Sequence, residues 1–160
     1  YLESGHLVWR VNRGKNKTAG RLAGTANSHG YSMVRLNRRH YSEHRLIWLW
    51  HIGQMPPEDL DHIDRDRLNN RIANLRPATR SQNCQNAGKR TRRSRTTSKW
   101  KGVSWSRGMG KWHSYIKAGP KRTTLGYFDH EEDAARAYNA AAQETFGDFA
   151  CLNCTETSAA

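Results

Sequence analysis

Apolar residues along this chain come in short runs separated by polar turns. Residues 6–11 (His-Leu-Val-Trp-Arg-Val) and 31–36 (Tyr-Ser-Met-Val-Arg-Leu) alternate well enough to predict strands, and the Gly, Lys and Asn residues between them predict turns. The denser run Ser42-Glu-His-Arg-Leu-Ile-Trp-Leu-Trp50 predicts a short helix that begins at Ser42, is closed by Gly53 and Pro56-Pro57, and supplies much of the local core. Further on, Thr79-Arg-Ser-Gln82 has the S/T-x-x-Q form of a capping box, so a helix starting at Arg80 would carry Asn83 in its first turn.

A second set of elements follows residue 98. Three strands are predicted over residues 100–106, 112–117 and 123–128, with turns at Gly108-Met-Gly110 and Gly119-Pro120, which makes an antiparallel meander. Asp129 is placed to cap the next helix, with Glu132 returning the bond. Ala134, Ala135, Ala137, Tyr138, Ala141 and Ala142 give that helix a slim apolar face. Such a face would lie close on the sheet and leave the other sheet face open.

Between the two sets, residues 88–98 (Gly-Lys-Arg-Thr-Arg-Arg-Ser-Arg-Thr-Thr-Ser) hold no large apolar residue and many like charges, and so read as a linker. The domain reading is 1–87 for a first unit, 88–98 for the linker, 99–154 for a second unit and 155–160 for a tail. The class is α+β.

Charge sharpens this picture. The chain has 160 residues with 27 Lys and Arg against 14 Asp and Glu, a net charge of +13. Solubility needs only about 2 to 8 net charges in a small domain, and the excess is self-repulsive unless a polyanion neutralises it, which points to nucleic acid. From Arg67 to Phe128 there are sixteen Lys or Arg and no Asp or Glu, while Glu58, Asp59, Asp61, Asp64 and Asp66 cluster just before that stretch. A solvated acidic loop and a divalent-metal site facing phosphate both fit the cluster.

No run is long enough for a membrane span and no secretory signal opens the chain, so no membrane partner is expected. Cys84, Cys151 and Cys154 cannot all pair within one chain. They fit an intracellular, reducing setting such as the cytoplasm of a bacterial or phage-infected cell, and no structural zinc is expected from so incomplete a ligand set.

Asp61 and His62 lie between Leu60 and Ile63, a setting for a short strand. A carboxylate can hold a hard cation beside an imidazole that takes a proton from water; a hydrogen-bonded structural histidine fits the pair equally. The longer string from Asp61-His62 through Asn69-Asn70, Asn74-Leu-Arg76 and Thr79-Arg-Ser-Gln-Asn83 resembles the HNH nuclease module, in its phage and intron homing-endonuclease branch, and His44-Arg-Leu upstream is similar to the helix that often precedes it. The resemblance covers residues 1–87 and implies a ββα-metal finger. It implies His62 as general base, Asn74 as the Asn that steadies the loop and the catalytic His, and Asp61 and Asn83 as ligands of one Mg²⁺ or Mn²⁺. The ordinary pattern has His where this chain has Asn83, and oxygen donors favour hard ions. Asn69, Asn70 and Asn74 also read as turn and loop residues, and Arg76 as a phosphate contact or a partner of Asp64 or Asp66.

The second unit carries its own resemblance. Trp100-Lys-Gly-Val103, Gly110-Lys-Trp112, Leu125-Gly-Tyr-Phe-Asp129, Glu132-Asp-Ala-Ala-Arg-Ala-Tyr-Asn-Ala-Ala141 and Leu152-Asn153 are similar to the AP2 DNA-binding domain, a three-stranded sheet buttressed by one helix. That implies DNA contacts from Lys101, Ser104, Ser106, Lys111, Tyr115, Lys117, Arg122 and Thr124, with Arg107 in a lengthened turn. Ser104 and Ser106 stand where the plant pattern has base-reading Arg, and Tyr115 where it has Glu. A different target, or affinity more than specificity, follows from those departures. Trp112 and Tyr127 read as anchors between sheet and helix, and Trp105 stays open between packing and base stacking.

Together these readings give a metal-dependent, site-directed DNA endonuclease of homing or phage type, acting as a monomer on double-stranded DNA, with a dimer on DNA left open. The linker residues Lys89, Arg90, Arg92, Arg93 and Arg95, with Arg76, would track phosphate. A catalytically silent sequence-specific DNA-binding protein is the second reading.

Overall fold

The computed structural model describes residues 1–89 and 97–155. It divides into two compact units, Tyr1–Asn83 and Cys84–Ala160. The linker arginines Arg90, Arg92, Arg93 and Arg95 lie outside the described residues.

In the first unit a small antiparallel sheet orders β1 (Gly24–Ala26), β2 (Ser32–Leu36) and β3 (Arg39–Ser42) in sequence. β2 and β3 are joined through Asn37 and Arg38, both at positive φ (46° and 65°), the backbone twist that a two-residue hairpin requires. Residues 6–11 do not form the expected strand. They contribute isolated bridges, Leu2 with His6 and Val8 with Leu22, because residues 7–9 pair with 20–23 only through the bonds of Trp9 to Gly20 and Arg21 and of Ala23 to Leu7, a contact too short for a strand.

Helix α1 (Glu43–Ile52) follows β3 directly. Ser42 is its N-cap by position, yet its hydroxyl turns to the Met33 sulfur at 3.8 Å and makes no cap bond. Gly53 closes the helix at φ 82°, its N–H donating to the Leu49 carbonyl, as a left-handed C-terminal residue does. Next come β4 (Asp59–His62), a 3-10 turn at Ile72–Asn74 and β5 (Leu75–Ala78), with β4 and β5 antiparallel so that Asp61 faces Arg76 and His62 faces Leu75. Helix α2 (Arg80–Asn86) then starts on the expected capping box. The Thr79 hydroxyl accepts from the Gln82 N–H at 3.2 Å, and the Gln82 side-chain oxygen accepts from the Thr79 N–H at 2.8 Å. β4, β5 and α2 thus succeed one another along the chain.

The second unit is a three-stranded antiparallel sheet in the order β6 (Val103–Ser106), β7 (Lys111–Ala118), β8 (Lys121–Phe128), followed by helix α3 (Glu131–Phe146). The N-cap is His130, one residue past the expected Asp129, and no side chain caps it; Asp129 pairs instead with the Lys111 ammonium at 3.1 Å. One apolar cluster gathers Trp100, Val103, Ala134 and Ala135, and another Ile116, Tyr138 and Ala142. Gly102, at φ 73°, lets the sheet approach the helix: a Cβ there would lie 2.0 Å from the Tyr138 ring. Tyr138 is accordingly a packing residue, and burial pushes its hydroxyl pKa up.

Candidate active site

A buried polar group sits where β4 meets the sequences flanking it. Asp61 and His62 are both buried, as are Glu43, His44 and Asn70. Burying so many polar side chains is costly unless each finds partners, and here most of the partners are visible.

His62 Nε2 lies 3.0 Å from the Asn70 side-chain oxygen. The Asn70 amide nitrogen donates to Glu43 Oε2 at 3.3 Å, and Glu43 Oε1 accepts from the Leu7 N–H at 2.7 Å. His6 Nδ1 is 3.4 Å from the same carboxylate. Asn69 and Asn70 therefore separate in role: Asn70 joins His62, whereas Asn69 bonds to the Asp64 carboxylate in the loop.

Asn74 shapes that loop. Its side-chain oxygen accepts from the Asp64 N–H at 3.0 Å and its amide donates to the Asn69 carbonyl at 2.8 Å and to Asp64 Oδ1 at 2.9 Å. Its own carbonyl accepts from the Ile63 N–H at 2.9 Å, so it grips the backbone immediately after His62. Although burial pushes the Asp64 pKa up, the hydrogen bonds from Asn69, Asn74 and the Asp66 N–H outweigh it and hold the carboxyl below its ordinary value. The loop also carries Arg65 at φ 69°.

Arg76 reaches across the β4–β5 pair to Asp61, donating through Nε at 2.9 Å and Nη2 at 2.8 Å to one carboxylate oxygen. Its partner is Asp61 and not the Asp64 or Asp66 that the sequence allowed, because the strand register sets it opposite Asp61. Asn83 lies on α2 and lines a cleft of about 250 Å³ with Tyr31, Ser42, His44, Arg45, Asp59 and Leu60. The structure thus brings His62, Asn70 and Glu43 into one chain of bonds, Asn83 and His44 into one cleft, and Asp61 onto Arg76.

His44, Asn70 and Glu43 are the residues that sequence reasoning undervalued. The His44 ring packs edge-on against that of His62, with centroids 5.2 Å apart, and Tyr31 lies beside both. Burial, then the neighbouring His62 and Arg45, lowers the His44 pKa to about 4, so it is neutral at neutral pH. The acid at helix position Glu43 looked like an ordinary first-turn charge; its partner 36 residues earlier in the chain left no local signal.

The donor chemistry can be tested against a metal. Among the described residues no three His, Cys, Asp or Glu side chains converge on a metal-sized site, so a closed thiolate or imidazole cage does not fit. Asp61 and Asn83 offer a carboxylate and an amide oxygen, the donor types a hard ion takes, but Asp61 is held by Arg76 and the cleft beside Asn83 is lined by Asp59.

In the second unit, strand register gathers the other expected residues. Ser104 faces His113 and Ser106 faces Lys111 across β6–β7; Tyr115 faces Thr124 and Lys117 faces Arg122 across β7–β8. They share the sheet face opposite the buried Ser114 and Ile116. A column of stacked rings runs along it. Tyr127 stacks on His113 at 4.9 Å, His113 on Tyr115 at 5.5 Å, and the Arg122 guanidinium lies 3.5 Å from the Tyr115 ring centre. His113 also bonds to the Thr124 hydroxyl at 3.1 Å, and burial, then Arg122, lowers its pKa. Tyr127 is exposed on this face rather than anchored between sheet and helix, because the β7–β8 register sets it beside His113. Trp105 packs edge-on to Trp112 and remains partly exposed, and Arg107 lies in the β6–β7 turn.

Lys89, expected to track phosphate, and Lys101, expected to contact DNA, both meet backbone carbonyls in the fold. The Lys89 ammonium donates to the carbonyls of Ser98, Trp100 and Val103, and that of Lys101 to the carbonyls of Gln85 and Ala87. Both ammonium groups are part-buried on backbone carbonyls.

Comparison with known proteins adds to the geometry. Residues 41–85 match the HNH endonuclease family. The chain is also 38% identical over 112 residues to an uncharacterized HNH endonuclease of Acanthamoeba polyphaga mimivirus, an alignment that takes in 69% of this chain and 56% of that protein. The matched residues 41–85 begin one residue before the Ser42 N-cap and run to the last turn of α2, taking in Glu43, Asp61, His62, Asn70, Asn74 and Asn83.

Proposed function

We propose that this chain is a metal-dependent DNA endonuclease of the homing or phage HNH type, in which the first unit cuts and the second holds the duplex. The observation that carries the reading is the HNH match over residues 41–85, falling on a strand, strand and helix that bury one histidine in a chain of polar partners.

In this reading His62 is the general base that takes a proton from the attacking water, and Asn74 fixes the backbone next to it. Asp61 and Asn83 would hold one Mg²⁺ or Mn²⁺. When bound, such an ion offsets charge on the phosphate and on the leaving 3′-oxygen, giving a 3′-hydroxyl and a 5′-phosphate. Arg76 orients the Asp61 carboxylate across the strand pair. The stacked face of the second unit, with Lys111, Lys117 and Arg122, would meet DNA in the manner of an AP2 sheet. His113 and Tyr127 join the expected contacts there, while Lys89 and Lys101 are left to structural work.

A plasmid-nicking assay on the purified chain tests the reading. Mg²⁺ or Mn²⁺ should support nicking, EDTA should stop it, and Asp61→Ala or Asn83→Ala should lower metal-dependent turnover. Binding of DNA with no cleavage in either metal would instead favour a silent DNA-binding protein.

A further inference from the structure

We propose that Glu43 and Asn70 are positioning residues that set which nitrogen of His62 acts as the base. Glu43 Oε2 accepts from the Asn70 amide nitrogen, which fixes the orientation of the Asn70 amide. The Asn70 oxygen is then forced toward His62 Nε2, 3.0 Å away. In a neutral imidazole facing an acceptor, Nε2 carries the proton and the lone pair lies at Nδ1. Glu43 thus selects the histidine tautomer through one intervening side chain.

The surroundings hold this relay in place. Glu43 and Asn70 are both fully buried. Glu43 Oε1 is held by the Leu7 N–H at 2.7 Å, and a Cβ added at Gly24 would come within 2.7 Å of Oε2, so the carboxylate is enclosed by backbone. His6, with Nδ1 3.4 Å from Oε2, is the other titratable group on the carboxylate. His44 packs on the ring of His62 from α1, and Asp64 follows it in the loop.

The inference rests on His62 being the base, and its test separates the two. Long-range nitrogen–proton NMR of the labelled full chain reads the tautomer without any turnover. Neutral His62 should be the Nε2–H form, and Asn70→Ala should shift it toward a mixture. In cleavage, N70A should lose about 10²-fold in kcat while DNA affinity changes less than about twofold, since a misdirected base loses general-base catalysis and not binding.

Asn70→Asp sets two carboxylates against each other and should cost more. Adding Glu43→Gln should then recover at least about tenfold of that loss. The introduced glutamine can accept from the Leu7 N–H and donate to the introduced aspartate, which still accepts from His62. Losses that simply add, or an Nδ1–H tautomer in the wild-type chain, would overturn the relay. A wild-type chain that shows the Nε2–H form but no cleavage would leave the relay standing and sink the nuclease reading.

Discussion

The two units bury different chemistry. The second closes on Ala134, Ala135, Ala142, Val103 and Ile116, an ordinary small-residue interface between a helix and a sheet, and its fully buried hydroxyl, Ser114, donates to the Ala134 carbonyl at 2.8 Å. The first encloses a glutamate, an aspartate, two histidines and an asparagine around β4, with Ile47 and Val34 as its most buried apolar side chains. Apolar burial stabilises wherever it occurs, whereas a buried carboxylate or imidazole stabilises nothing unless each partner is in place. The contrast separates a unit whose interior is apolar from one whose interior holds paired polar and titratable groups.

The largest effect should come from that interior. His62→Ala is expected to lower single-turnover cleavage by about 10²- to 10⁴-fold, equivalent to roughly 3 to 5 kcal/mol of barrier, with DNA affinity of the folded protein nearly unchanged. Equal losses of affinity and rate would make His62 a structural residue.

The counterpart in the second unit is Gly102→Ala, which combines a positive φ with a methyl driven into the Tyr138 ring. It should destabilise that unit by about 2 to 4 kcal/mol in urea melts. The first unit's metal-dependent nicking should survive at high protein concentration and low salt. Loss of nicking in step with unfolding would show that the units do not hold separately.

The buried interior should also show itself in acid. His44 has a folded pKa of about 4 against an ordinary 6.5, so below 6.5 the unfolded chain binds a proton that the folded chain refuses. The stabilisation of the neutral ring is complete above 6.5 and is lost as pH falls toward 4, by up to about 3 kcal/mol. Subtracting the pH dependence of His44→Phe from that of the wild type should isolate this slope, and identical curves would refute it.

The smallest effect belongs to the outer face. Replacing Lys117 and Arg122 by Ala should flatten the dependence of log K for DNA on log salt by up to about 0.9 for each phosphate no longer neutralised. It should leave the stability of the sheet within about 1 kcal/mol. An unchanged slope would turn this face away from DNA.

Much of the frame was legible because its signals are local. The Thr79–Gln82 box, the Gly53 stop, the three strands of the second unit and the alanine face of α3 are each written within a few residues. What the sequence did not disclose depends on partners far along the chain or on the direction of a flexible side chain. Glu43 meets Leu7, and Asn70 meets both Glu43 and His62, through contacts that no periodicity announces. Lys89 reads as a phosphate-tracking charge in the sequence and Lys101 as a DNA contact, whereas in the fold their ammonium groups sit on backbone carbonyls. The cap moved from Asp129 to His130 because Lys111 claims the carboxylate.

The stacked column on the outer sheet has a thermodynamic corollary. Arginine, tyrosine and histidine side chains that already lie ring on ring, as Arg122, Tyr115, His113 and Tyr127 do, have surrendered much of their rotamer freedom before any ligand arrives. Immobilising a rotamer-rich side chain at an interface costs about 0.5 to 1.5 kcal/mol, and for this column most of that ordering belongs to folding. A docking partner would meet a stiff relief whose shape is fixed in advance, so association there should carry a smaller entropic penalty than on a face of loose lysines, and a correspondingly sharper intolerance of partners that do not match its contour.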